Sequence, residues 1–220
     1  MLHSISFLLI IAMLTMGCVY PSQQTIRGNG NIVTEERDVG HFTELRITGS
    51  RSTVVYGDRE GPIRITADGN LLEYNESYVE NDRLVITTAN NVNLRATQRI
   101  EIEIPGKHIQ SVRVSGSNRI ELYDIDQDWF RIRGSGSTRV TATGYVGDLE
   151  VRMSGSSRLD AGDLVADIAT IRTSGSSRAV VTVEDILEAR TSGSSRVSYY
   201  GNPADMQINS TGSSRVRSAR

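Results

Sequence analysis

Apolar and polar residues alternate along most of this chain. Val112 and Val114 flank Arg113, Val151 and Met153 flank Arg152, Ile120 and Leu122 flank Glu121, and Val140 and Ala142 flank Thr141. A period of two marks a strand with one buried face, and no part of this region carries an apolar three-four stripe of helical length. A recurring phrase interrupts the alternation. It reads VRVSGSNRI from Val112, IRGSGSTRV from Ile132, VRMSGSSRL from Val151, IRTSGSSRA from Ile171, ARTSGSSRV from Ala189 and INSTGSSRV from Ile208. Its central glycines are Gly116, Gly136, Gly155, Gly175, Gly193 and Gly212, separated by 20, 19, 20, 18 and 19 residues. A fixed period of this size predicts a stacked repeat architecture. Two short strands meet at a Ser-Gly-Ser corner, and a variable return segment such as YDIDQDWF (Tyr123 to Phe130) closes the coil. The predicted fold is therefore all-β: a right-handed parallel β-helix, or β-solenoid, with coils of about 19 residues and neighbouring strands roughly 4.8 Å apart. The corner glycine supplies positive φ without a Cβ penalty, and the flanking hydroxyls can bond locally to backbone.

The segment before the repeats reads as a looser version of the same pattern. FTELRITGSRSTVVYG, from Phe42, places Leu45 and Ile47 around Arg46 and then Gly49-Ser50. PIRITADGN from Pro62, DRLVITT from Asp82 and RIEIEIP from Arg99 are further alternating strands, and no linker separates them from the repeats. We expect residues 30–110 to coil as well, with looser corners, and to form one continuous domain with the regular coils of 111–220. The earlier part would then cap one end of the open stack.

The first residues change the picture of where this domain sits. Ile5 to Met16 is a short uncharged apolar run, too short to span a bilayer with ease and suited to a signal-peptide core. It is followed by Gly17 and by the sole cysteine, Cys18. This resembles a bacterial lipoprotein signal, which predicts cleavage after residue 17, lipidation of Cys18 and a polar tether over 18–29. Thr15 departs from the usual Leu of such signals and only His3 precedes the core. A plain cleaved signal is the alternative, although no small-x-small site stands out near Cys18. With Cys18 used as the anchor, no disulfide is available and stability rests on the stacked interior.

Charge then supplies the candidate chemistry. The formal net charge is −2, which excludes a global attraction to nucleic acid. Of the 24 basic residues only Lys107 is lysine. Arg113, Arg133, Arg152, Arg172 and Arg190 lie three residues before the repeat glycines, and Arg119, Arg139, Arg158, Arg178, Arg196 and Arg215 lie three after. All eleven alternate with inward apolar residues and should point outward, each beside its copy in the next coil. Unit charges at that spacing repel by ~0.9 kcal/mol in water. Solvent screening alone can offset this, as can neighbouring acids, stacked guanidinium planes or a bound anionic polymer. In the last case the two sets would form one anion-binding stripe.

Other chemistry is thinner. DIDQDWF starts like a calcium loop at Asp124, Asp126 and Asp128, but it lacks the following glycine and has Ser135 where the closing glutamate belongs; no metal or cofactor is expected. His41 and His108 lie outside the repeats and read as surface or turn residues. No serine has the Gly-x-Ser-x-Gly context of a nucleophile on a strand-to-helix turn. Aromatic residues make up only 5 % of the chain. Tyr123, Tyr145, Tyr199 and Tyr200 are candidate contacts, while Trp129 is expected inside a wide coil.

Taken with GNGNIVTEERDVGHFTELRITGS, ITADGNLLEY and NDRLVITT, the serial Ser-Gly-Ser coils resemble the head GIN domain family of autotransporter adhesins over roughly residues 30–215. The resemblance implies a secreted or lipid-anchored bacterial β-solenoid and supplies no catalytic motif. No barrel-forming segment follows Arg220 in this sequence, so translocation of the autotransporter kind is not expected. The resulting expectation is a non-enzymatic envelope lipoprotein held at the outer membrane by its lipid. Its solenoid head would bind an anionic glycan, a lipid or an envelope protein. The alternative is a periplasmic polysaccharide-processing enzyme using the Asp124, Asp126 and Asp128 carboxylates.

Overall fold

The structure, a computed structural model, describes residues 23–219; the signal segment and Cys18 lie outside them. The repeat phrases build a parallel stack. It runs through β10 (Ser111–Gly116), β11 (Arg119–Gly136), β12 (Arg139–Met153), β13 (Arg158–Thr173) and β14 (Arg178–Thr191), and it is completed by β15 (Arg196–Tyr200), β16 (Asp205–Ser210) and β17 (Arg215–Ser218). Every pairing among these strands is parallel. The register places like on like. Arg113, Arg133, Arg152, Arg172 and Arg190 are successive partners, and so are Arg119, Arg139, Arg158, Arg178, Arg196 and Arg215. This is a β-solenoid of about 5 turns. Long strands such as β11 bend around a coil, and the register slips near Asp124, where the backbone of that non-glycine residue turns to φ 55°.

At the Ser-Gly-Ser corners, Gly155 has φ 73°, and a Cβ added there would lie 2.8 Å from the carbonyl oxygen of Gly136 in the coil below. Glycine is thus required twice, by its own backbone angle and by the backbone stacked against it. The residue two positions after the glycine turns inward and is buried in every coil: Asn118, Thr138, Ser157, Ser177, Ser195 and Ser214. In coil after coil its side chain donates to the carbonyl three residues back, as Ser157 Oγ does to Ser154 O (2.6 Å), Ser177 Oγ to Ser174 O (2.8 Å) and Ser195 Oγ to Ser192 O (2.7 Å). The outer serine of each corner, such as Ser156, stays exposed.

The earlier segment joins the stack only in part. β3 (Glu44–Ile47) lies parallel on β10, and β4 (Ser52–Tyr56) lies parallel on β11, so Gly49 forms a first true corner under Gly116. β7 (Arg83–Thr88) and β9 (Glu101–Pro105) add parallel strands beneath them. The remainder departs from the looser coils expected from sequence. β2 (Ile32–Arg37) pairs antiparallel with β5 (Ile63–Asp68), β5 with β9, and β6 (Asn75–Glu80) with β7, the last through a turn at Asn81 and Asp82 with φ of 50° and 58°. A 3-10 helix, Gly69–Tyr74, links β5 to β6. β1 (Gln24–Arg27) and β8 (Val92–Arg95) make a separate two-stranded parallel sheet. One hydrophobic core nonetheless runs from Phe42 to Val197. The antiparallel strands cover its first end, where β6 closes the strand order on β7 and β2 flanks β5.

Candidate functional site

Outward strand positions alternate with the core, so the arginines predicted to face solvent do so: Ile132 is fully buried while Arg133 is half-buried, and Leu159 is fully buried while Arg158 is exposed. The corner ridge keeps the two sets apart. Arg113, Arg133, Arg152, Arg172 and Arg190 line one groove of about 610 Å³, together with Val114, Gly134, Met153 and the serines on the near side of the corner. Arg119, Arg139, Arg158 and Arg178 line a second groove of about 460 Å³, among the serines of the far side. The two grooves share no residue, so the two arginine sets line separate grooves and not the one stripe that a shared polymer would imply.

The grooves differ in how their charge is held. Beside the first, Glu150 gathers three arginines, two of them from its ladder: Arg131 Nε at 2.5 Å, Arg152 Nη2 at 2.8 Å and Arg133 Nη2 at 3.9 Å. Burial works against this carboxylate, but the hydrogen bond and charge of Arg131, with the charges of Arg152 and Arg133, outweigh it and hold the carboxyl below its usual range. Burial and the repulsion of Arg131, Arg152 and Arg113 lower the pKa of Arg133, whose Nε is buried without a hydrogen-bond partner. A cation in that position gains from any added anion. Along the second ladder, four of whose arginines line the second groove, none of the six forms an ion pair within 4.0 Å among the described residues. The last coil departs from the first ladder, since Asn209 stands in register with Arg190.

Trp129 is not the interior filler expected from sequence. Phe130 is fully buried in that role, and the alternation sends Trp129 outward, where the Arg131 guanidinium lies 4.5 Å from its ring centroid. Trp129 also borders a shallow depression with Asp148, Glu150 and Arg152. Among the other aromatic residues, Tyr123 stacks on Tyr56 with centroids 6.2 Å apart. Tyr145 Oη donates to Asp167 Oδ2 at 2.5 Å. Asp124, Asp126 and Asp128 are exposed; Asp126 and Asp128 lie on extended backbone, where alternate residues stand about 6.6 Å apart, and Asp124 sits at the φ 55° turn before them. Among the described residues no three His, Cys, Asp or Glu side chains are grouped to hold a metal ion. His41 and His108 lie at the surface with ring centroids 5.4 Å apart, and His108 Nε2 is 3.4 Å from Glu60. The convergence on Glu150 was missed from sequence, because it depends on which coil position stacks on which. The repeat itself holds the signal: Glu150 stands one coil on from Arg131.

A capped β-solenoid with arginine-lined grooves defines the class, and comparison with known proteins defines the family. The chain belongs to the family described as "Putative auto-transporter adhesin, head GIN domain", whose model matches residues 41–203. That description is of a cell-surface adhesin head and names no reaction. No curated protein matches the chain. Solved structures share the fold, among them the following three. A "putative adhesin" from Bacteroides fragilis superposes with a TM-score of 0.72 at 14 % identity, covering 88 % of this chain and 100 % of its own. A "putative adhesin" from Parabacteroides merdae gives 0.55 at 16 % identity, covering 90 % and 100 %. A "putative lipid binding protein" from Parabacteroides distasonis gives 0.54 at 21 % identity, also covering 90 % and 100 %.

Proposed function

We propose that this protein is a non-catalytic binding head of the bacterial cell envelope that holds an extended acidic glycan along its arginine-lined grooves. The observation that carries this reading is the first groove, in which five coils each contribute one arginine at equivalent positions. Those arginines span about 19 Å at one per strand spacing. A linear polymer with regularly placed carboxylates or sulfates meets such a row charge by charge, and a compact ligand uses only part of it. The arginine stems and the floor of Val114, Gly134 and Met153 suit the apolar faces of sugar rings, while the guanidinium heads suit the anions. The adhesin description of the family agrees with such a role.

The test is binding to immobilised heparin across a range of salt. Changing Arg133, Arg152 and Arg172 together to glutamine should weaken binding at least tenfold and flatten the dependence of log affinity on log salt by about two units. Unchanged affinity and slope would sink the reading. The same reading places a lipid on Cys18 and the head at the outer membrane. Labelling with a fatty-acid analogue should mark the wild type and not Cys18→Ser; equal labelling of both would remove the anchor. Several acyl chains, as in mature bacterial lipoproteins, are needed for stable attachment, since one binds only marginally.

A further inference from the structure

The first corner of the stack breaks the pattern that the later corners keep. Where those coils bury Asn, Thr or Ser, the Gly49 corner buries Arg51, which is 1 % exposed. The position is equivalent, because Arg51 N donates to Asn118 Oδ1 in the next coil at 2.9 Å. The task is equivalent too: Arg51 Nη1 donates to the carbonyl of Thr48, three residues back, as Ser157 does to Ser154. A neutral hydroxyl performs that task elsewhere. Here a full positive charge performs it, and the acceptors it finds are neutral: Thr48 O, Asn75 Oδ1 at 3.1 Å and Thr88 Oγ1 at 2.8 Å. Its Nε is buried with no partner, and burial pulls its pKa down to about 10. A buried cation without a counter-ion is costly and is stabilised by any anion that can reach it.

An opening of about 690 Å³ adjoins it. Arg51 lines this cavity together with the exposed Arg95 and Arg99, and with the hydroxyl-bearing Ser50 and Thr88. Among the described residues no carboxylate lines it. Asp68, the acid behind its Thr97 wall, already accepts from the amides of Gly30 and Thr97 and from the Thr97 hydroxyl. Glu101 follows Arg99 by two residues and lines neither space. Arg99 also borders the second arginine groove, beside Ser117 and Arg119. The cavity therefore lies at the capped end of that groove and is joined to it by a shared arginine.

We propose that this cavity is an anion-binding site in which Arg51, Arg95 and Arg99 hold one compact oxyanion, the carboxylate or phosphate at the end of an acidic sugar chain that lies in the second groove. The oxyanion site stands on the cavity and on Arg51 alone. Its use as a chain-end site rests on the glycan reading above. It would give the head a sense of direction along its ligand, because the opposite end of that groove carries no buried arginine among the described residues.

The test compares melting of the full chain in inorganic phosphate, in sodium galacturonate and in sodium chloride of matched ionic strength. Phosphate or galacturonate should raise the melting temperature of the wild type by several degrees above the chloride value, and the anion that does so names the terminal group. Arg51→Ser, which restores the repeat's own neutral corner bond, should fold and lose that increment. Arg95→Gln, at an exposed position, should reduce it without depending on the corner. The triple change of Arg139, Arg158 and Arg178 to glutamine should keep the increment while weakening heparin binding. No increment over chloride in the wild type, or an equal increment in Arg51→Ser and Arg95→Gln, overturns the site. Loss of the increment in the groove variant also overturns it, because the anion would then be held by the groove. A retained increment with unchanged heparin binding in both groove variants leaves the oxyanion site standing and removes the glycan reading and the chain-end role with it.

Discussion

Gly155→Val is expected to lower the melting temperature of this protein by roughly 6–12 °C, while Ser156→Ala in the same corner leaves it nearly unchanged. Two effects act at Gly155. Its φ of 73° costs a non-glycine residue on the order of 1–3 kcal/mol, and more when the side chain is β-branched. The new Cβ also meets Gly136 O at 2.8 Å, and that oxygen belongs to backbone held on both sides by the stack. Ser156 is exposed, and its side chain makes no hydrogen bond among those described. Gly212→Val should be milder, because a Cβ there has 3.0 Å to Gly193 O and sits in the last coil, which is free to shift. Thermal melts of the three variants check this, and equal shifts for Gly155→Val and Ser156→Ala would show that the corner does not need glycine.

Phe130→Ala and Trp129→Ala should separate stability from surface chemistry at adjacent positions. Phe130 is fully buried in the core, and its truncation leaves a cavity that costs about 3–5 kcal/mol. Trp129 lies outward and half-buried under the Arg131 guanidinium, so its loss removes one cation–π contact of about 0.5–1 kcal/mol and no core packing of the kind Phe130 makes. Urea unfolding should show a large fall in midpoint for the first and a small one for the second. A larger loss for Trp129→Ala would mean that the indole, and not the phenyl ring, fills the coil.

These two residues also show where sequence reading stopped. The period of the glycines fixed the stack, and the alternation around each corner fixed which arginines face out. Carried back from Ile132 ahead of the Gly136 corner, the same alternation would have turned Phe130 inward and Trp129 outward. The bulk of the indole suits the interior of a wide coil, but its place in the pattern decides. The antiparallel strands β2, β5 and β6 were hidden for a different reason. Half-buried strands of either sense carry the same period of two, so direction is set by turns such as Asn81-Asp82 and by the need to cover an edge. The ladders were legible as outward rows, but their division between two grooves was not, because the ridge that parts them depends on how the corner folds. Arg51 carries no signal in the first phrase taken alone, where the glycine and serine mark the corner. Only the buried row of the later coils gives the residue after Ser50 a meaning.

The register that places Arg133 on Arg113 and Arg152 on Arg133 also places the core, the corners and both grooves under one spacing. Length and specificity are therefore set separately. A gene that gained or lost one whole unit between equivalent glycines would return the same ends to the same kind of seam. The grooves would lengthen or shorten by one rung each, and the cap with its single buried guanidinium would be untouched. Such a molecule is a ruler whose graduations are copied and whose zero mark is written once.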